Sequence, residues 1–360
     1  MEQTDIFVNI RDFEQAAHRI LPNMAWDYFA GGAEDEYTMI ENCSAFRKIK
    51  LRPRVLRDVT TRSLATKVLG QAISLPVMLG PTTHQRLAHP DAELATARAA
   101  SAMQTIAVCA TETHFRIGEI AEAASYPIWF QLYCCHSRIY TERLVRRAEA
   151  AHCRALVVTV DATYDPRRER LMRKPFILPN TISLGNFVDI GLPGNPNQDD
   201  VQYMAITWSD IEWLRTLTSL PIILKGIMTS EDAQLAVEHG VEGLVVSNHG
   251  GRQLDGTLPT VEALPEIIEA VDNKVEVYLD GGIRRGTDVI KAIALGAKAV
   301  LLGRAYLWGL AVDGQQGVES ILGIFKSEID CAMAQLGCKS ISDIDRSVID
   351  NNAHLRQMRE

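Results

Sequence analysis

The chain has 360 residues, of which 47% are hydrophobic and 23% are charged, which is typical of a folded globular protein and excludes extended disorder. Its net charge of −8 argues against a general nucleic-acid-binding surface. The seven cysteines form no CxxC pair and no Cys/His ligand spacing, so no metal site is expected. The N-terminus does not resemble a secretion signal and no apolar run is long enough to span a membrane, so we expect a cytoplasmic protein without membrane partners.

Short apolar runs predict eight β-strands, at 75–79, 105–110, 128–133, 155–161, 221–225, 243–248, 275–280 and 299–304. Most are apolar throughout, as parallel strands covered on both faces are. Helical patterns separate them, at 92–103, 140–151, 229–238, 260–271 and 286–295. Eight β/α units in about 250 residues predict an α/β fold of the TIM (β/α)8 barrel type, and the strand count argues against the alternative, a doubly wound sheet.

Two segments lie outside this repeat. Residues 1–70 are expected to form an N-terminal helical extension, with helices at 10–20 and 24–29, and residues 71–340 the barrel. The extension and the barrel would together form one domain covering 1–360. Residues 166–207 follow the fourth strand as a long insertion, which we expect to form a lid over the site.

In a TIM barrel the active site lies where the strands end. The polar residues at these ends are Gln131, Tyr133, Thr159, Asp161, Lys225, Ser247, Asn248, His249, Asp280 and Arg304. The strongest signal is the run SNHGGRQLD at 247–255, in which His249 can accept a proton near neutral pH and Arg252 can bind a carboxylate through two hydrogen bonds. A structural histidine beside a surface arginine is the alternative, which the strand-end position disfavours.

Glycines follow the last two predicted strands. Gly281-Gly282 and Gly303-Arg304 stand where TIM barrels often bind phosphate through backbone N–H groups. The same glycines could simply turn the chain. From the residues alone, both interpretations remain open.

The run at 247–255 resembles the signature of the FMN-dependent α-hydroxy acid oxidases and dehydrogenases, which include glycolate oxidase, lactate oxidase and mandelate dehydrogenase. Similar blocks follow one another along the chain: WDYFAGGAEDE (26–36), RLAHPDAELATARAAS (86–101), FQLY (130–133), PIILKGI (221–227), YLDGGIRRGTDV (278–289) and LGRAYLWGL (302–310). The resemblance implies FMN as cofactor and oxidation of a 2-hydroxy acid to the 2-oxo acid. Oxygen, giving H2O2, or another acceptor would reoxidise the flavin, and the protein would form a homo-oligomer, a tetramer or larger.

The resemblance also implies roles for individual residues. His249 matches the catalytic base and Asp161 the carboxylate paired with it. The residues that match substrate contacts are Tyr28, Tyr133 (also catalytic), Arg168 and Arg252. Those that match flavin contacts are Pro81, Thr82, Thr83, Gln131, Thr159, Lys225 and Ser247, and those that match ribityl and phosphate contacts are Asp280, Gly281, Gly282, Arg284, Gly303 and Arg304.

Three positions depart from the family pattern. Ala110 and Glu112 stand where the family usually has Ser and a bulky aromatic residue, and Thr83 where it usually has Ala or Gly. Glu112 either binds a polar or cationic group of the substrate or points to solvent. Oxidase and dehydrogenase activity both remain open; oxidase is favoured because no cytochrome domain precedes the barrel. The alternatives are another FMN- or phosphate-binding TIM-barrel enzyme with an altered substrate, and a flavin-binding protein without turnover.

Overall fold

The computed structural model describes residues 6–180, 182–190 and 205–350. Its strands are β1 Thr66–Val68, β2 Gln71–Ile73, β3 Val77–Leu79, β4 Ala107–Cys109, β5 Ile128–Leu132, β6 Leu156–Thr159, β7 Ile222–Ile227, β8 Gly243–Val246, β9 Glu276–Leu279 and β10 Ala299–Leu302. Its helices are α1 Ile10–Ile20, α2 Asn23–Ala30, α3 Tyr37–Lys48, α4 Ala92–Ala102, α5 Ile117–Ala123, α6 Arg138–Ala150, α7 Glu169–Arg173, α8 Trp208–Leu217, α9 Ser230–Glu238, α10 Thr260–Val271, α11 Gly286–Ala294 and α12 Arg304–Leu336.

Strands β3 to β10 form a closed parallel barrel, in which β10 pairs with β3 to complete the ring. Helices connect the strands and cover the outside, so the predicted TIM barrel is confirmed. Each predicted apolar run overlaps one of these strands, and seven of the eight contain it; β7 continues to Ile227, two residues beyond the predicted end at Lys225. The fold follows from the sequence pattern because strands buried on both faces must be apolar almost throughout.

Alternate residues of each strand point into the barrel. One apolar layer, the lower layer, consists of the interior residues Met78, Val108, Trp129, Val157, Ile223, Val245, Tyr278 and Leu301. The antiparallel hairpin β1–β2 closes this end, because its Val68 and Ile73 pack into the same cluster. Two residues further along five strands come Gln131, Thr159, Lys225, Ser247 and Asp280, which we call the upper layer. The two-residue period therefore puts a polar set directly above the apolar one.

The N-terminal extension contains more structure than the sequence predicts. Helix α1 has the predicted bounds, and Asn9 and Asp12 form a capping box at its start. Helix α3 was not predicted, because apolar and polar residues are mixed along it without a clear stripe. The boundary predicted between 70 and 71 falls inside the β1–β2 hairpin, which belongs to the barrel floor.

Helices α5, α7, α8 and α12 were also not predicted. The last of these runs from Arg304 to Leu336, with a break at Asp313 and Gly314, and packs against α1 and α4. Arg304 was placed at the end of the eighth predicted strand, but β10 ends at Leu302 and Arg304 begins α12. One hydrophobic core joins these elements, from Ile10 to Ile349.

The insertion after the fourth barrel strand is described in part, over 166–180, 182–190 and 205–207. Phe187 is fully buried, and Asn186 accepts a hydrogen bond from the Ile117 N–H and donates one to the Thr111 carbonyl. This part of the segment is therefore packed on the barrel. The lid remains a prediction for the rest, part of which lies outside the described residues.

Among the described residues, none of the helices combines the length and the apolar character needed to cross a membrane.

Candidate active site

A partly buried histidine and carboxylate lie together at the carboxyl end of the barrel. The His249 Nδ1–H donates to Asp161 Oδ1 at 2.9 Å, and the Tyr133 hydroxyl lies 3.4 Å from His249 Nε2. Burial lowers the pKa of His249 below its ordinary value and outweighs the opposing effect of Asp161. The imidazole is therefore neutral near pH 7, with the lone pair of Nε2 able to accept a proton.

Asp161 remains ionised in this environment. Burial by itself would raise the pKa of its carboxyl, but the nearby His249 and Lys225 outweigh burial and hold the pKa below its ordinary value. Its second oxygen, Oδ2, is buried and makes no hydrogen bond to the described residues. A carboxylate in this position can stabilise an imidazolium that forms on His249.

The backbone at the end of β8 holds the histidine in an uncommon conformation. His249 has φ +56° and Gly250 and Gly251 follow at +65° and +72°, in the left-handed region that costs energy for a residue with a side chain. The His249 N–H donates to Ser247 Oγ at 3.1 Å. A Cβ on Gly251 would lie 2.5 Å from the Met39 nitrogen, so α3 packs directly on this turn and requires glycine there.

The upper layer forms a hydrogen-bonded floor next to the histidine. Lys225 Nζ donates to Ser247 Oγ at 3.0 Å and lies 3.4 Å from Asp280 Oδ2. Burial would lower the pKa of Lys225, but the charges of Asp280 and Asp161 outweigh burial and raise it. Gln131 donates to Thr159 Oγ1 at 2.9 Å. This floor thus presents a buried cation, an amide and two hydroxyl groups.

These residues fit FMN, whose ring oxygens and nitrogens need such donors and whose ribityl hydroxyls need acceptors. Asp280 Oδ1 is buried without a hydrogen-bond partner among the described residues, which suits a hydroxyl donor. A Cβ built on Gly303 meets nothing within 4 Å, and Gly303 caps the N-terminus of α12, where backbone N–H groups favour a phosphate.

The other residues predicted to hold the cofactor have varied surroundings. Gly281 and Gly282 have φ +91° and +78°, and a Cβ on Gly282 would lie 2.0 Å from the Asn42 oxygen, so packing against α3 is one reason for these glycines. The Thr82 hydroxyl bonds to that of Tyr306, and Arg284 Nη1 donates to the Ile283 carbonyl at 3.0 Å. Pro81 and Thr82 lie in the loop directly after β3. The phosphate role of the glycines and of Arg284 stays a prediction.

Two partly buried arginines hold the carboxyl end of α2. Arg252 donates to the carbonyls of Tyr28 and Gly31 at 2.7 and 2.9 Å. Arg304 donates to the carbonyls of Phe29, Gly31 and Gly250 at 2.8 to 2.9 Å. Cations are favoured at a helix C-terminus, so these contacts fix Tyr28 over the site. Three of the N–H groups of Arg304 are thereby used, and its predicted phosphate contact stays a prediction.

Arg168 lies next to Arg252. Its contacts are long, 3.4 Å to the Arg252 carbonyl and 3.4 Å to Gln253 Oε1. Burial, and then the charge of Arg168, lower the pKa of Arg252 to about 10. Two guanidinium groups this close to each other can bind an anion, and the predicted role as the substrate-carboxylate pair stays a prediction. Arg170, in the same basic run, pairs with Glu36.

The structure decides the orientation of Glu112. Its side chain is 20% exposed, and Oε2 lies 3.8 Å from His84 Nε2. Its charge contributes to raising the pKa of both Tyr28 and Tyr133, after burial, so the carboxylate faces the site. Thr83 hydrogen-bonds to the Tyr28 hydroxyl. Ala110 is buried and provides no side-chain hydrogen bond.

His84 was missed by the sequence analysis. It follows the first barrel strand, and the strand-end rule, applied to that strand as it was to the others, would have found it.

Comparison with known proteins identifies the family. Residues 17–351 match the family model of FMN-dependent dehydrogenases. The chain belongs to this family. It is 46% identical to 2-hydroxyacid oxidase 1 of Homo sapiens, covering 95% of this chain and 96% of that protein, and 48% identical to L-lactate oxidase of Nostoc sp., covering 95% and 98%. A crystal structure of mandelate oxidase with benzoyl-formic acid aligns with a TM-score of 0.89 at 40% identity, over 96% of this chain and 98% of that one.

These findings confirm the predicted family, the barrel, the FMN cofactor and the enzyme class, an FMN-dependent oxidoreductase of the 2-hydroxy acid oxidase group. The roles of the individual site residues stay predictions.

Proposed function

We propose that the protein oxidises a 2-hydroxy acid to the corresponding 2-oxo acid, with His249 as the base. The observation that carries the proposal is the neutral, partly buried imidazole, whose Nε2 lies 3.4 Å from the Tyr133 hydroxyl while Nδ1 is held by Asp161. When bound, FMN would accept the two electrons together with the hydrogen that leaves the substrate carbon. His249 Nε2 is the acceptor for the proton that the substrate hydroxyl loses.

The arginines position the substrate. Its carboxylate binds between Arg168 and Arg252, where two cations already lie close together. Tyr28 and Tyr133 present their hydroxyls beside it, and burial raises the pKa of both, so they remain protonated and can donate hydrogen bonds. This places the substrate hydroxyl near His249 Nε2.

Proton transfer to His249 creates an imidazolium in a partly buried site. The Asp161 carboxylate, 2.9 Å from Nδ1, stabilises that cation. The charge of Lys225 disfavours the imidazolium, so the proton is readily given up after the reaction. Because Lys225 is cationic and buried in the upper layer, it also stabilises negative charge on the bound cofactor.

Three features of the wider reaction belong to the same proposal. Oxygen is the acceptor, giving H2O2, as the names of the relatives suggest. The protein forms homo-oligomers, supported by Val55 and Leu56, which are 80% and 103% exposed and suit a subunit contact. It acts in the cytoplasm.

An anaerobic visible spectrum of the FMN-loaded protein tests the proposal. Glycolate, lactate, mandelate and more polar 2-hydroxy acids are added in turn, and air is then admitted. We expect bleaching by at least one acid and recovery of the flavin spectrum in air, with H2O2 formed. Bleaching without recovery would replace oxygen with another acceptor, and no bleaching by any acid would overturn the activity.

A further inference from the structure

Two loops at the carboxyl end of the barrel bring a histidine and a carboxylate together. The loop after β3 carries Thr83 and His84, and the loop after β4 carries Glu112. The His84 N–H donates to the Glu112 carbonyl at 3.4 Å, and the side chains approach to 3.8 Å between Nε2 and Oε2. Because Thr83 bonds to the Tyr28 hydroxyl, this pair is joined to the substrate side of the site.

Aromatic rings surround the pair. The Tyr28 ring stacks on Phe176 with centroids 4.5 Å apart, and the His84 ring lies 5.4 Å from Tyr28 and 5.7 Å from Phe176. The Arg252 guanidinium lies 5.2 Å from the centroid of the same tyrosine ring. A substrate whose carboxylate binds Arg252 therefore has His84 and Glu112 within reach of its side chain.

The pair presents hydrogen-bond acceptors and negative charge. Burial lowers the pKa of His84 and outweighs the opposing charge of Glu112, so the imidazole is neutral near pH 7. His84 is only 9% exposed, and its Nδ1 has no hydrogen-bond partner among the described residues. After burial, the charge of Glu112 contributes to raising the pKa of Tyr133 and Cys135, so its field extends over this part of the site.

We propose that His84 and Glu112 bind the side chain of the substrate and select a 2-hydroxy acid whose side chain ends in an ammonium or guanidinium group. This proposal rests on the proposed function. A cation with several N–H donors can donate to the Glu112 carboxylate, beside which the uncharged His84 ring lies. An alkyl chain makes no such charged contact, and a second carboxylate is repelled by Glu112.

A matched series of substrates tests the proposal in the unaltered holoenzyme. The acids are 2-hydroxy-6-aminohexanoate, its uncharged analogue 2-hydroxyheptanoate and its anionic analogue 2-hydroxyheptanedioate, with anaerobic flavin reduction as the readout. We expect kcat/KM to be at least about tenfold higher for the cationic acid than for the uncharged one, and lowest for the anionic one. Binding of the three 2-oxo products, followed by the flavin difference spectrum, should show the same order.

The variant Glu112→Gln isolates the charge. We expect it to reduce the ratio of kcat/KM for the cationic acid to kcat/KM for the uncharged acid to within about threefold. Glu122→Gln, at an exposed glutamate on α5, is the matched control and should keep the full preference. Bound FMN and the unfolding midpoint show whether each variant is folded.

The outcomes separate the two proposals. If the uncharged acid is oxidised as well as the cationic one, the selection of a cationic side chain is wrong and the oxidation of 2-hydroxy acids stands. If none of the acids in either experiment reduces the flavin, the proposed function itself fails. A cationic preference that survives unchanged in Glu112→Gln would also overturn the role of this pair, and if that variant does not fold, the series in the unaltered protein still decides.

Discussion

The two layers inside the barrel come from the same strands but have opposite chemistry. Trp129, Ile223 and Tyr278 belong to the apolar lower layer, and the residues two positions later, Gln131, Lys225 and Asp280, belong to the polar upper layer. Two strand residues span only about 6.6 Å. Within a single strand, one residue therefore packs the core and the residue two positions later faces the site. We expect a substitution in the lower layer to change stability and one in the upper layer to change activity.

The upper layer is costly to bury and is stabilised by pairing. Lys225 has Ser247 and Asp280 beside it, and Gln131 donates to Thr159 and accepts from the Thr111 N–H. Uncompensated buried charges and amides cost several kcal/mol. Asp280 Oδ1 and Asp161 Oδ2 have no hydrogen-bond partner among the described residues, and both lie at the proposed reaction site.

The largest expected effect is a loss of activity on substitution of His249, which lies two residues after Ser247 of the upper layer. We expect His249→Gln to lower the rate of anaerobic flavin reduction by roughly 10²- to 10⁴-fold, because the base is lost. The unfolding midpoint and FMN content should change little. A rate within tenfold of the unaltered protein would contradict the base assignment and favour another class of FMN barrel.

A substitution in the lower layer should reduce stability and leave activity nearly unchanged. Trp129 is fully buried, and Trp129→Ala should lower the free energy of unfolding by about 3–5 kcal/mol through the cavity it leaves. The rate of flavin reduction per bound FMN should stay within a few-fold. Equilibrium denaturation measures the first quantity, and Trp213→Ala, at a partly exposed tryptophan on α8, should cost less. If Trp129→Ala lost activity without losing stability, the assignment of stability to the lower layer and activity to the upper layer would be wrong.

A smaller effect, on pH dependence, is expected at Asp161. Its charge supports a higher pKa at His249, so Asp161→Asn should lower that pKa further and reduce the maximal rate about 100-fold. The base acts when neutral and the rate rises with pH through its pKa, so the acid limb of the rate profile should move to lower pH. Asp165→Asn, at an exposed neighbour, is the control. A shift to higher pH would contradict the pairing.

The sequence predicted the elements whose pattern is local. Helix α1 and the eight barrel strands follow from periodicity, and the candidates at the strand ends follow from the barrel rule. Helix α3 and the hairpin β1–β2 were not predicted because their burial depends on contacts with distant parts of the chain. Thr38 N–H of α3, for example, donates to Asp255 at 2.8 Å. The spacing of apolar residues along the sequence does not predict such a contact.

The sequence by itself determined the residue types at the strand ends and, through the resemblance, the family and the cofactor. Only the tertiary structure decided which groups meet: Asp161 and His249 are 88 positions apart, and Tyr28 and Arg252 are 224 apart. It also decided that Glu112 faces His84 and the site instead of solvent. The physical reason is that strand periodicity is set by neighbouring residues, whereas contacts between loops exist only once the barrel has closed and brought all its strand ends to one rim.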